Sequence, residues 1–217
     1  MKAYCADQAF RIAELAIQTY GGAGFVTDHP VEQYCRDAKV FSIYEGTNHI
    51  QAADLVARKL QANGGESFTA FMAEIEHFVR EHERQPGIGG EVRALGGALD
   101  ALKRSAGALL EYFMGGKVDQ VTLCANAFLE TMAEVTLAHL LLQAAVIAES
   151  KRAMIDDDSS VIDDDQSEED DFYEGKVAAA KFFVNFILPG VHAKTSVITT
   201  ADRSALDVPD RGFSSAG

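Results

Sequence analysis

The chain contains no tryptophan, only four prolines and three cysteines, and it is short of positive charge: 19 lysines and arginines stand against 33 aspartates and glutamates in 217 residues. Each shortage excludes something. With so few prolines and abundant Ala, Leu, Glu and Gln, the composition favours a mostly α protein. A net charge of −14 leaves no basic surface to neutralise phosphates, which excludes nucleic acid as a partner. Cys5, Cys35 and Cys124 form no CxxC or Cys/His cluster, so a zinc or redox motif has no support. An odd, scattered set fits the reduced thiols of a cytoplasmic protein. The six histidines are equally dispersed. His77 and His82 are poorly spaced for a shared metal, and His139 lies in an apolar stripe, where a satisfied core residue is the ordinary reading. No metal site is expected. The longest apolar stretch, Val135 to Ala148, is too short to span a membrane and is interrupted by His139 and Gln143. The start, MKAYCADQAF, has no apolar signal core.

The acidity is local. Residues 156–171 hold ten carboxylates and no basic residue, and without them 23 acidic residues face 19 basic ones. The run lacks the glycine and residue order of a calcium loop. A self-repelling, disordered acidic loop between two helices is the expected form.

What remains, 47% hydrophobic, repeats at helical spacing. Phe10, Ala13, Ile17 and Tyr20 share one face of a first helix that starts without a capping signal, as it would inside a larger domain, and Gly21, Gly22 and Gly24 end it. Pro30 suits the first turn of a second helix carrying Val31, Tyr34, Ala38 and Phe41. Thr47 or Asn48 caps a third. Asn63-Gly64-Gly65 is the first internal boundary. Beyond it come longer stripes: Phe68 to Val79, then Val92, Leu95, Leu99, Leu102, Ala106, Leu109 and Phe113, then Val121 to Val146. A last helix from Tyr173 to Ile187 is stopped by Pro189-Gly190. The expected fold is all-α, an antiparallel bundle with a second helical bundle packed on it. It divides into 1–62, 66–198 with the acidic loop 156–171, and a flexible tail 199–217.

Three short motifs fall within about thirty residues: Gln18-Thr19-Tyr20-Gly21-Gly22-Ala23-Gly24, Arg36-Asp37-Ala38-Lys39 and Ile43-Tyr44-Glu45-Gly46-Thr47-Asn48. Taken singly they read as a helix stop, a solvated helix face and a surface carboxylate. Glu45 nevertheless stands between the apolar Ile43-Tyr44 and Gly46. An apolar shoulder can desolvate a carboxylate and make it a stronger base, and glycine lets a ligand approach the backbone.

In order and spacing, AIQTYGGAGF, HPVEQYCRDAKV and IYEGTNHIQ resemble the acyl-CoA dehydrogenase family, from about Ala3 to Leu60. The region 65–190, with Phe172-Tyr173-Glu174-Gly175-Lys176-Val177 running into AAAKFFVNFILP, resembles the extra C-terminal helical domain of the longer members. The resemblance implies FAD as cofactor and an acyl-CoA thioester as substrate. It implies a trans-2-enoyl-CoA as product and an electron-transfer flavoprotein as electron acceptor. It assigns Glu45 as the base that removes the α-proton, its backbone N–H donating to the thioester oxygen, with Gly46 against the acyl thioester. Gln18, Gly21 and Gly22 match a loop that contacts the FAD of a neighbouring subunit, which implies a homo-oligomer. Thr47 and His49 match a second FAD contact, His49 standing where some relatives have Gln. The N-terminal helical and middle β domains of the family are absent from these 217 residues, so the chain alone is expected to bind FAD poorly, not to turn over, and to self-associate through its uncovered apolar faces. The alternative is a non-catalytic helical interaction or oligomerisation module that kept the fold without flavin.

Overall fold

The computed structural model describes residues 1–158 and 164–213, and every regular element among them is helical. Helix α1 (Lys2–Tyr20) leads into a single turn, α2 (Gly22–Phe25), and then α3 (Val31–Val40) and α4 (Asn48–Asp54). Thr47 caps α4, its Oγ1 accepting from the Ile50 N–H at 3.5 Å. Helix α4 widens into one π turn over Leu55–Lys59, where the Leu60 N–H reaches back five residues to the Leu55 carbonyl. Asn63, Gly64 and Gly65 all take positive φ (52°, 66° and 86°), which reverses the chain into α5 (Glu66–His82), α6 (Gly89–Met114) and α7 (Val118–Asp158).

The core forms where the two long stripes meet. Val92, Leu95, Leu99 and Leu102 of α6 and Phe128, Val135 and Leu142 of α7 are almost wholly buried. Ala98, Ala101, Ala125, Ala138 and Ala145 are fully buried among them, and such small residues let neighbouring helices approach closely. The same core cluster takes in Ala3 and Tyr4 of α1, and Ala52 and Val56, so one core joins the segments on both sides of the Asn63-Gly64-Gly65 turn. Over Val118–Ile155, α7 is long and apolar enough to cross a bilayer by length and composition. Its place in the fold accounts for that character: α4, α6, α8 (Asp164–Phe182) and α9 (Gly190–Thr200) all pack on it, and this does not show a membrane span.

Three expectations need correction. The first concerns the acidic stretch, which is largely helical: 156–158 close α7 and 164–171 open α8 (Asp164–Phe182), while 159–163 lie outside the described residues. Arg152 ties these ends together, its guanidinium donating to Asp170 Oδ1 at 2.8 Å and lying 3.4 Å from Glu174. The second concerns Pro189-Gly190, which does not end the helical region. Lacking an N–H, Pro189 follows a π turn over Phe183–Ile187 and then opens α9 (Gly190–Thr200), as proline at a helix start can. The third concerns the tail. Thr199 and Thr200 are helical, and the exit of α9 is clamped: Tyr112 Oη donates to the carbonyls of Ile198 and Thr199 at 3.1 and 2.9 Å. Gln120 Nε2 donates to the Ala201 carbonyl at 3.0 Å, and Arg203 pairs with Asp119 at 3.0 Å. Residues 214–217 lie outside the described residues.

His139 also differs from expectation. It is 4% exposed, neither ring nitrogen has a hydrogen-bond partner among the described residues, and Phe78 stands edge-on at 4.9 Å. Glu74 Oε1 lies 3.6 Å from Nε2, too far for a hydrogen bond. Burial therefore lowers the pKa of His139 more than Glu74 raises it. The folded pKa lies below the ordinary value of about 6.5, so between the two the unfolded chain binds more protons. Stability is then complete above about pH 6.5 and lost as pH falls through that window. His139→Leu is expected to raise the melting temperature, by roughly 1–3 kcal/mol of stability, and to flatten its decline between pH 7 and pH 5 in calorimetry.

Candidate functional site

Between α3 and α4 the chain turns tightly. The N–H groups of Ile43 and Tyr44 both donate to the Val40 carbonyl, at 2.9 and 3.1 Å. Glu45 and Gly46 then take the left-handed conformation, with φ of 56° and 84°. For a residue with a Cβ this costs roughly 1–2 kcal/mol, and the surrounding groups hold it. Gln51 Nε2 donates to the Glu45 carbonyl at 2.9 Å. Lys2 Nζ donates to the Gly46 carbonyl at 2.7 Å and to Asn48 Oδ1 at 3.4 Å. Asn48 Nδ2 in turn donates to the carbonyl of Ala3 at 3.2 Å. The positive φ at position 46 favours glycine, and a Cβ there would come within 2.9 Å of Gln51 Nε2 and push that amide aside.

The Glu45 carboxylate is exposed, and its backbone N–H makes no hydrogen bond among the described residues. Ile43 and Tyr44 are 58% and 50% exposed, so within this chain the expected apolar shoulder does not close over Glu45. Glu45 is instead one of the residues lining a groove of 360 Å³ between Cys5 and Ala9 of α1 and Phe41 and Tyr44. This groove shares Ala9 and Phe41 with a larger one of 470 Å³ running between α1 and α3. Thr47 and His49 follow at the start of α4, both exposed.

Gln18, Gly21 and Gly22 lie at the other end of α1. The Gly21 N–H donates to the Gln18 carbonyl at 3.2 Å. A Cβ at Gly21 or Gly22 would meet nothing within 4 Å, whereas one at Gly24 would come to 2.6 Å from the Ile17 carbonyl. The three glycines therefore divide into an open pair and a packed one. Nineteen helical residues separate this open turn from the Glu45 loop by about 28 Å, so one copy does not bring the two groups together. Among the described residues no group of three or more His, Cys, Asp or Glu could hold a metal ion.

Behind the Glu45 loop lies a polar cavity of 300 Å³, walled in part by Tyr4, Asn48, Glu134 and Lys194. Burial, and then Glu134 and Glu130, push the Tyr4 phenol up to about 12.

Comparison with known proteins matches the two segments separately. A family model described as "Acyl-CoA dehydrogenase, C-terminal domain" covers residues 1–61, and one described as "Acetyl-CoA dehydrogenase C-terminal like" covers 71–209. The chain belongs to the acyl-CoA dehydrogenase family. Within it, the chain is 31% identical to a butyryl-CoA dehydrogenase of Syntrophomonas wolfei over 98% of its length, covering 33% of that relative. It is 33% identical to the broad-specificity linear acyl-CoA dehydrogenase FadE5 of Mycobacterium tuberculosis, again over 98% of its length and covering 34% of that protein. A shorter match, 42% identical over 71 residues (33% of this chain, 12% of the relative), is to a 3-methylmercaptopropionyl-CoA dehydrogenase of Ruegeria pomeroyi. The chain thus spans about a third of the length of the first two relatives and corresponds to the C-terminal region of the family. Two residues that shape the Glu45 loop of this acyl-CoA dehydrogenase region, Lys2 and Gln51, escape a reading of sequence. Gln51 ends the quoted motif IYEGTNHIQ, but nothing in its spacing says that its amide caps a carbonyl.

Proposed function

We propose that this chain forms the C-terminal part of a cytoplasmic, FAD-dependent acyl-CoA dehydrogenase. In it Glu45 removes the α-proton of an acyl-CoA thioester on the way to a trans-2-enoyl-CoA. The observation that carries this reading is the Glu45 turn. An exposed carboxylate, a backbone N–H with no acceptor among the described residues and an adjacent glycine coincide at a strained, well-held position beside a groove. Strain held in place by its surroundings is characteristic of functional loops. Glu45 supplies a proton acceptor, and its own N–H can meet negative charge developing on the thioester oxygen. Gly46 leaves room for the acyl thioester beside them. The printed names of the relatives, butyryl-CoA and linear acyl-CoA dehydrogenases, support acyl-CoA as the substrate class.

The residues assigned to FAD fit edge contacts with it. Gly21 and Gly22 present open backbone, and Thr47 and His49 stand exposed beside Glu45. When bound, FAD would accept the β-hydride, and an electron-transfer flavoprotein would then take the electrons. Because the two sets of contacts lie at opposite ends of α1, one flavin site drawing on both needs two copies of the chain, which supports a homo-oligomer.

The purified 217-residue chain is expected to be colourless and inactive. Joined to flavin-bearing N-terminal and middle domains it is expected to be yellow and to reduce an electron acceptor with acyl-CoA. A complete protein that holds no flavin would favour the second reading, a non-catalytic helical interaction module. The exposed apolar residues of α1 and α3, among them Ile12 at 65% and Tyr34 at 60%, are the observation on its side.

A further inference from the structure

Resting on the reading of Glu45 as the base, we infer that Lys2 and Gln51 are positioning residues for it, clamping the left-handed Glu45–Gly46 turn from α1 and from α4. Among the described residues Lys2 pairs with no carboxylate: its ammonium donates to the Gly46 carbonyl at 2.7 Å and to the side-chain oxygen of Asn48 at 3.4 Å. Gln51 reaches back six residues to the Glu45 carbonyl at 2.9 Å. The two donors thus hold consecutive carbonyls, the two whose peptide planes follow the Glu45 Cα. Fixing those planes fixes the direction in which the Glu45 side chain leaves the backbone.

The clamp has a rigid footing. The backbone of Lys2 continues into Ala3 and Tyr4, which are 4% and 6% exposed in the core shared with α7, and Asn48 closes the loop onto the Ala3 carbonyl at 3.2 Å. Without either donor a residue with a Cβ is free to leave the unfavourable left-handed conformation, and the carboxylate swings with it. Neither side chain is placed to react. Their effect is geometric, and misplacement of a reacting group by about 1 Å can cost on the order of 100-fold in rate.

The test uses Lys2→Met, Gln51→Ala and Lys2→Arg, each in the complete flavoenzyme and in the 217-residue chain, with Glu45→Gln alongside. In the enzyme, Lys2→Met and Gln51→Ala are expected to lower kcat about 10- to 100-fold with flavin content unchanged and KM within about threefold. Lys2→Arg, which keeps a cationic donor, is expected to recover most of the loss. In the isolated chain the Glu45 Cα and Cβ chemical shifts are expected to move away from left-handed values in the same two variants, a readout independent of catalysis and of flavin. If kcat and the Glu45 shifts both stay at wild-type values while Glu45→Gln is inert, the clamp is overturned and the base assignment stands. If the shifts move but kcat does not, the positioning role is overturned. If Glu45→Gln is itself active, the reading on which the inference rests has failed.

Discussion

Glu45→Gln in the complete flavoenzyme is expected to lower kcat by about 10²–10⁴-fold, with flavin content and substrate affinity close to wild type. Glutamine keeps the length and polarity of the side chain and removes only its capacity to accept a proton. The backbone that carries it is held by donors reaching the carbonyls of residues 45 and 46, and neither contact involves the carboxylate. The turn should therefore survive the substitution. A group that acts only in the transition state lowers kcat and kcat/KM together when it is lost, whereas a residue that merely binds acyl-CoA raises KM. Steady-state kinetics beside the flavin absorbance spectrum separate the two. Equal activity of variant and wild type would mean that the proton is removed by another group.

The long helices were legible because burial on one side of a helix imposes a period of 3.6 residues, and α6 and α7 obey it with few exceptions: Leu95, Leu99 and Leu102 on one, Phe128, Val135 and Leu142 on the other. Glu45 is singled out by the motif around it, and the structure sets it in a left-handed turn between α3 and α4. The failures have physical causes. Proline marks both the end of one helix and the start of the next, so Pro189 concealed α9. The Gly-Gly-x-Gly run cannot say which glycine is packed, because that depends on how closely α2 folds back onto α1. Gly24 meets the Ile17 carbonyl while Gly21 and Gly22 meet nothing. The face carrying Phe10, Ala13, Ile17 and Tyr20 stays partly or fully exposed, in keeping with the uncovered apolar faces expected of the first segment, since apolar periodicity announces a need for cover without naming what provides it. Lys2 and Gln51 act through backbone carbonyls, and every residue has one, so no spacing betrays them.

The largest expected loss of stability comes from Lys194→Met. Lys194 reaches from α9 to α7, donating to Glu134 Oε1 at 2.5 Å and lying 3.5 Å from Glu130. Glu134 is 5% exposed, and its second oxygen has no partner among the described residues. Burial pushes its pKa up, and Lys194 pulls it back. Removing the ammonium leaves a buried carboxylate facing Glu130 and the Tyr4 phenol, which costs about 3–5 kcal/mol at neutral pH, or roughly 6–20 °C in melting temperature for a chain of this size. The pH dependence has a definite sign. With its folded pKa above the ordinary value of 4.5, Glu134 binds more protons folded than unfolded, so its neutral form stabilises most below about pH 4.5 and that contribution fades as pH rises through the folded pKa. The deficit of Lys194→Met should therefore shrink as pH falls towards 5. His139 titrates in the opposite sense over the same range, so the series is cleanest in a His139→Leu background. Adding Glu134→Leu to Lys194→Met should recover most of the loss, because an apolar pair leaves no buried charge unpaired and the partly exposed Glu130 carboxylate is solvated without Lys194. A single variant that melts like wild type at pH 7, or a double variant no better than the single, would show that Glu134 does not depend on Lys194 for its charge.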